Sequence, residues 1–292
     1  MIDKVLARLS FEKAASSYDE AAVLQREIGN RLLDRLDYIR FQPQRILDVG
    51  AGTGTCSYQL AEQYKNTEIF ILDFATAMLQ QARQKRSWRQ RWSSRYQYLT
   101  GDAASLPLAD NSIDMIFSNL ALQWCDDLEK VFSEFRRVLK PGGMLLFSTF
   151  GPDTLKELNA CWAQADTFKH VNNFIDLHEV GDALMKGGFS DPVMDMEMIT
   201  VTYPDVMGIM RDLKQIGAHN VNHERAKGLT GKQTLKKLTE AYEAYRSNDV
   251  LPVSHEVIYG HAWIPDNKTE LLDQCGVQQV SLNDLQKTLE RF

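Results

Sequence analysis

Residues Asp48 to Gly54 read D-V-G-A-G-T-G and follow the apolar run Ile46-Leu47, so they fall where a strand ends and a helix begins. Glycine has no Cβ, so Gly50, Gly52 and Gly54 let the backbone turn sharply and come close to a ligand. The segment from Thr55 to Tyr64 can form the helix whose N-terminal amides face that ligand. Asp73 ends the next apolar run, about twenty residues past the loop, where a carboxylate accepts both hydroxyls of a ribose. Gly101-Asp102-Ala103 ends a third run. There Asp102 can accept from an adenine amino group while Ala103 offers a backbone amide. Asn119 ends a fourth run and faces the same crevice. Ala51 inside the loop, and Phe74 and Met78 just beyond Asp73, complete the expected contacts.

These groups converge only if the runs that carry them lie side by side. Strand-like runs 46–49, 69–73, 96–100, 113–118 and 144–150 alternate with helical segments 55–65, 75–86 and one near 127–138. That alternation predicts a parallel, doubly wound α/β sheet. Pro141-Gly142-Gly143 is expected to stop the helix before the fifth strand. Helices over 153–166 and 177–186 then lead to strands at 194–201 and 255–263. Between those strands, roughly 204–247 has a helical pattern, far more chain than a hairpin needs. The expected organisation is an N-terminal helical lid at 1–40, a sheet domain at 41–203 and 254–265, and a helical cap at 204–253. A polar tail at 266–292, with a terminal helix beginning near Ser281, receives no function. Within the lid, residues 11–40 show helical spacing through Phe11, Ala14, Tyr18, Leu24, Ile28 and Leu32.

Composition narrows the class. The 292 residues are 44% hydrophobic and 25% charged, as in ordinary globular proteins. No apolar run is long enough to span a membrane, and the N-terminus lacks a secretory h-region. Cys56, Cys125, Cys161 and Cys275 form no C-x-x-C pair and read as reduced thiols of a cytoplasmic protein, with no metal site. A net charge of −6 argues against a general nucleic-acid binder. A monomer is the default.

The loop departs from the dinucleotide fingerprint G-x-G-x-x-G by one residue, because its third glycine is Gly54 and the fingerprint position is Thr55. G-x-G-x-G after D-V resembles the loop of the S-adenosylmethionine (SAM) methyltransferases, and Lys140-Pro141-Gly142-Gly143 is a further mark of that class. SAM has no phosphate; its amino-acid end and sulfonium need close backbone and a carboxylate such as Asp48. A glycine loop alone also closes tight turns in other α/β proteins, but the strand-end residues make the combination specific. The resemblance implies a Rossmann-like class I fold. Its sheet would have seven mostly parallel strands, helices on both faces and a helical insertion before the last strand.

A closer resemblance comes from downstream. S-N-L-A-L-Q-W-C (118–125), L-F-S-T-F-G-P-D-T-L-K-E-L (146–158), H-V-N-N-F (170–174) and M-R-D-L-K-Q-I-G-A (210–218) resemble the malonyl-acyl-carrier-protein methyltransferases of biotin synthesis, the BioC family. So does F-x-x-A-A-x-x-Y-D at 11–19. The family implies methyl transfer from SAM to the free carboxyl of a malonyl thioester on acyl carrier protein. A carboxylate is already ionised at neutral pH, so no general base is expected. Catalysis is then alignment and desolvation, with a cation to hold the carboxylate. Arg211 on the insertion is the candidate cation, because a guanidinium grips a carboxylate bidentately. Tyr18 is expected over the SAM site as part of the lid. Gln123 and Trp124 are candidates for the phosphopantetheine channel, and His170 and Asn172 for the acyl end. Each also fits a packing role.

The stretch 81–95 is basic within an acidic chain: Arg83, Lys85, Arg86, Arg89, Arg91 and Arg95 accompany Trp88 and Trp92. It is either a solvated helix face or a docking patch for acidic acyl carrier protein. Lys232, Lys236 and Lys237 are rivals for that role. Three other readings remain open: a complex I assembly factor that hydroxylates protein arginine, a methyltransferase for another small carboxylate, and a SAM-binding scaffold. Gly151-Pro152-Asp153-Thr154-Leu155 and Y-P-D at 203–205 resemble the first of these. Arg211 and L-Q-W-C favour the biotin family.

Overall fold

Ile46 and Leu47 are both fully buried, yet they serve different cores. Successive strand residues point to opposite faces, so a strand apolar at every position must be covered on both sides. The computed structural model describes residues 3–86, 93–218, 220–221, 228 and 230–266, and shows such a sheet. Its strands are β1 (Arg45–Val49), β2 (Glu68–Asp73), β3 (Tyr96–Thr100), β4 (Ile113–Asn119), β5 (Leu139–Phe150), β6 (Ser190–Tyr203) and β7 (Leu251–Trp263). Their order is β3-β2-β1-β4-β5-β7-β6. The pairs from β3 to β5 are parallel, and β7 runs antiparallel to both β5 and β6.

Helices α1 (Lys4–Ala14), α2 (Tyr18–Ala21), α3 (Val23–Asp34), α4 (Thr55–Gln63) and α5 (Thr76–Lys85) precede β3; α6 (Leu128–Val138), α7 (Lys156–Ala165) and α8 (Leu177–Lys186) follow β4. On one face, Phe132 and Phe135 of α6 and Val180 of α8 pack with Leu47 and Phe147. On the other, Ile28 and Leu32 of α3 and Leu60 of α4 pack with Ile46 and Phe117. The insertion carries α9 (Val206–Gln215) and α10 (Lys232–Tyr242). Leu238 and Tyr242 of α10 share a third core with Leu158 and Trp162 of α7. No helix among the described residues is long and apolar enough to cross a membrane.

Several boundaries differ from expectation. The N-terminal run starts at Lys4, where Asp3 accepts from the Leu6 amide, and it is broken before Tyr18 and again at Ala22. The helix after β5 begins at Lys156, because Leu155 takes a left-handed conformation. Leu139 is already extended, so α6 stops before Pro141 rather than at it. β6 and β7 pair from Ser190↔Trp263 to Tyr203↔Leu251, longer than their apolar cores suggest. β6 is an edge strand with exposed polar residues, which dilute its apolar signal, and it accepts Pro192 beside a bulge. The tail from 267 onward, with the helix expected near Ser281, lies outside the described residues.

Candidate active site

The glycine loop turns from β1 into α4 with Gly50 at φ 70° and Gly52 at φ 55°. A Cβ on Gly50 would stand 2.3 Å from the Ala121 Cβ, so the loop and the segment after β4 approach as only glycine allows. The Gly52 amide donates to Asp73 Oδ2 at 2.8 Å, and the Ala75 amide donates to Asp73 Oδ1 at 2.8 Å. Asp73 is buried, which pushes its carboxyl up to about 6 against the pull of those two donors. Asp48 is buried as well and accepts from the Ser57 hydroxyl. Burial pushes the Asp48 carboxyl up to about 7, and the Asp73 charge adds to the shift.

Gly50, Gly52, Asp73, Phe74, Met78, Asp102, Ala103 and Asn119 line one pocket. Asp48 and Ala51 line a neighbouring compartment, whose walls share Tyr18, Gly50, Gly52 and Asn119 with the first. Gly54 lines neither. It sits at φ 77° where a Cβ would meet Ala82 and Tyr58, so its role is to pack α4 against α5. Asp102 is partly engaged: Lys4 Nζ donates to its Oδ2 at 2.7 Å and the Ala104 amide to its Oδ1 at 2.9 Å. The Lys4 contact helps hold the Asp102 carboxyl below its ordinary value against the opposing effect of burial. Asn119 Nδ2 donates to the Gln25 carbonyl, and Asn119 Oδ1 accepts from the Ser148 hydroxyl. Asn119 thus ties α3 and β5 together while it lines the pocket.

The N-terminal segment is tied across this pocket. Glu12 accepts from the Thr76 and Ala77 amides at 2.7 and 2.8 Å. Lys85 Nζ donates to Asp19 Oδ1 and Thr53 Oγ1, both at 2.8 Å. Phe11 packs edge-on to Trp124, with ring centroids 5.1 Å apart. Sequence reasoning passed over Lys4 and Glu12 and placed Phe11 only in a helical pattern and a family segment, because each acts on a partner more than sixty positions away.

A cavity of about 710 Å³ opens beside the donor pocket. Phe150 and Leu158 contribute to its mostly apolar wall, and Ile209 and Leu213 approach from the insertion. Gln123, Trp124, His170 and Asn172 all line it. Gln123 Nε2 donates to the Leu120 carbonyl at 2.6 Å. His170 stacks on Trp162 at 3.6 Å and pairs with Asp166 at 2.8 Å. Tyr18 lines this cavity and both donor compartments, and burial pushes its phenol well above the usual range.

Arg211 is not brought to the cavity. Helix α9 turns by roughly 100° per residue, and its cavity face carries Ile209, Met210, Leu213 and Lys214. Arg211 falls on the opposite side and is exposed. Among the described residues, Lys214 is the one Lys or Arg that lines the cavity. In the basic stretch, Lys85 is held by Asp19 and Thr53. Arg95 donates to the carbonyls of Ala61, Tyr64 and Thr67, and Arg83 lies over the Tyr98 ring at 4.8 Å. These are structural contacts. Trp88, Arg89, Arg91 and Trp92 lie outside the described residues. Among the described residues, no cluster of ligating side chains fits a metal ion.

The donor set suits SAM. Gly52 is open on the pocket side, where its Cβ would find Tyr18 Cε1 at 3.9 Å as its neighbour. Asp73 lines the pocket at the end of β2, and buried Asp48 lines the neighbouring compartment at β1. Sheet, loop and pocket together define a Rossmann-like class I methyltransferase, the SAM-dependent class. The methyltransferase domain family matches residues 47–147. Among solved structures, the YcgJ protein of Bacillus subtilis is 19% identical, with 82% of this chain and 99% of that one covered and a TM-score of 0.57. Phosphoethanolamine N-methyltransferase 2 of Haemonchus contortus, solved with S-adenosyl-L-methionine, is 18% identical, with 87% and 57% covered and a TM-score of 0.53. At these identities the likeness concerns the fold.

Sequence relatives go further. A malonyl-acyl-carrier-protein O-methyltransferase of Nitrosospira multiformis is 50% identical, with 93% of this chain and 92% of that one covered. One of Gallionella capsiferriformans is 50% identical, with 91% and 92% covered. The chain belongs to the malonyl-acyl-carrier-protein O-methyltransferase family. These relatives decide against the assembly-factor reading.

Proposed function

We propose that the chain transfers a methyl group from SAM to the free carboxyl of a malonyl group on acyl carrier protein, giving the methyl ester that primes pimelate and biotin synthesis. The observation that carries this reading is the placement of Tyr18 where a nucleoside-type pocket meets a large, mostly apolar cavity. Family membership supplies the acceptor. When bound, SAM supplies an electrophilic methyl on a sulfonium.

The chain itself supplies binding, orientation and exclusion of water. Asp73 takes the ribose hydroxyls on the lone pairs that Gly52 and Ala75 leave open. Asp102 and Ala103 meet the adenine edge, and Asp48 faces the amino-acid end. The malonyl carboxylate is ionised at neutral pH, so its oxygen needs no base to attack. Lys214, on the cavity face of α9, holds that carboxylate in the role first expected of Arg211. Trp124 and Gln123 flank the entering arm. Residues 1–40 act as a lid and 204–253 as a cap. We read the working unit as a cytoplasmic monomer.

We assign docking of the acidic carrier protein to Lys232, Lys236 and Lys237 of α10, all exposed, because the described cations of 81–95 are engaged within the fold. Methyl-labelled SAM and malonyl-acyl carrier protein test the whole reading. Base-labile methyl ester on the carrier is expected. Its absence, with SAM binding intact, rejects the reaction.

A further inference from the structure

Of the cations around the donor site, Lys4 is spent on Asp102, and Lys85 on Asp19 and Thr53. Arg26 differs. It stands near the start of α3, is half-buried, and lines the same compartment as Asp48 and Ala51. Its Nη1 donates to the Asp19 carbonyl, an uncharged acceptor. The Asp19 carboxylate is taken by Lys85 at 2.7 Å and by the Thr53 hydroxyl at 2.6 Å. Among the described residues no carboxylate forms an ion pair with Arg26. A guanidinium carries several N–H donors, so most of them remain for a ligand.

The amino-acid end of SAM is a zwitterion. Its ammonium suits Asp48, but its carboxylate needs donors of its own, and the glycine loop has few to give. The Gly50 and Ala51 amides donate to the Leu72 carbonyl at 2.8 and 3.0 Å, and the Gly54 amide to the Ala51 carbonyl at 2.9 Å. The Gly52 amide is held by Asp73. Asn119 is engaged with Gln25 and Ser148. A guanidinium can meet a carboxylate through two parallel N–H bonds, with charge on both partners.

We propose that Arg26 binds the carboxylate of the SAM amino-acid end, and so makes the site select donors that carry that group. This rests on the placement of the amino-acid end beside Asp48 in the reading above, and not on the identity of the methyl acceptor.

S-adenosylhomocysteine and its decarboxylated analogue, S-adenosyl-3-thiopropylamine, share nucleoside, thioether and ammonium and differ by the carboxylate alone. By calorimetry the wild-type chain is expected to bind the first roughly ten- to a hundredfold more tightly. Arg26→Gln is expected to weaken S-adenosylhomocysteine by about that factor and to leave the analogue within about twofold. Arg26→Lys, which keeps the charge and loses the fork, is expected to recover part of the loss. A wild-type chain that binds both ligands alike overturns the proposal without any variant. Equal loss of both ligands in Arg26→Gln would make Arg26 a packing residue and overturns it too. So does an unchanged Kd for S-adenosylhomocysteine in that variant, which would leave the carboxylate to the first amides of α4. If Arg26→Gln separates the two ligands while Asp48→Asn weakens neither, the place given to Asp48 is rejected and the Arg26 contact stands.

Discussion

Glu12 of α1 caps α5, its Oε1 2.7 Å from the Thr76 amide and its Oε2 2.8 Å from the Ala77 amide. First-turn amides have no partner within their own helix, and a carboxylate there also meets the positive end of the helix dipole. The contact fastens the N-terminal segment to the element that follows Asp73. Glu12→Ala loses a cap of about 1 kcal/mol. SAM affinity is expected to fall about fivefold by calorimetry. An unchanged Kd with a lowered Tm would reduce Glu12 to a stabilising contact.

SAM binding is expected to strengthen as pH rises from about 5.5 to about 7.5, the range set by Asp73 near 6 and Asp48 near 7. A cationic ligand favours the ionised carboxylates, which these groups reach only in that range. Stability of the ligand-free protein runs the other way. Both carboxyls titrate higher in the fold than in the unfolded chain, so the fold holds protons that the unfolded chain has released. Their contribution therefore declines as pH rises from about 4 to about 7. Asp48→Asn is expected to flatten the binding profile. A wild-type Kd that does not vary with pH would remove the assignment.

Lys214 and Arg211 separate cleanly by kinetics. Lys214→Ala is expected to raise KM for the malonyl substrate about tenfold or more, as loss of a charge-assisted contact does. Arg211→Ala is expected to stay within about twofold, as surface ion pairs contribute little. The reverse order would return the role to Arg211.

Tyr18 separates packing from chemistry. Tyr18→Phe keeps the ring over Gly52 and is expected to retain most of kcat. Tyr18→Ala opens the wall between donor and acceptor, and a misplacement of about 1 Å there lowers kcat about a hundredfold. Equal activity in both variants would deny Tyr18 its place at the junction.

The sheet was legible because its signals are local. Strands buried on both faces read as apolar runs, and Gly50, Gly52 and Asp73 stand at the ends of two successive strands, β1 and β2. Arg211 has a residue type that suits a carboxylate, while the phase of α9, which the motif does not record, sets it off the cavity wall. Lys4 meets Asp102 across 98 positions, and no periodicity records such a pairing. Gly54 belongs to the motif by spacing and to helix packing by contact.

Tyr18, Phe11 and Trp124 each wall both the donor pocket and the acceptor cavity. A movement of the segment that bears Phe11 and Tyr18 would therefore unwall both compartments together, so that entry to one would be tied to entry to the other through a shared partition.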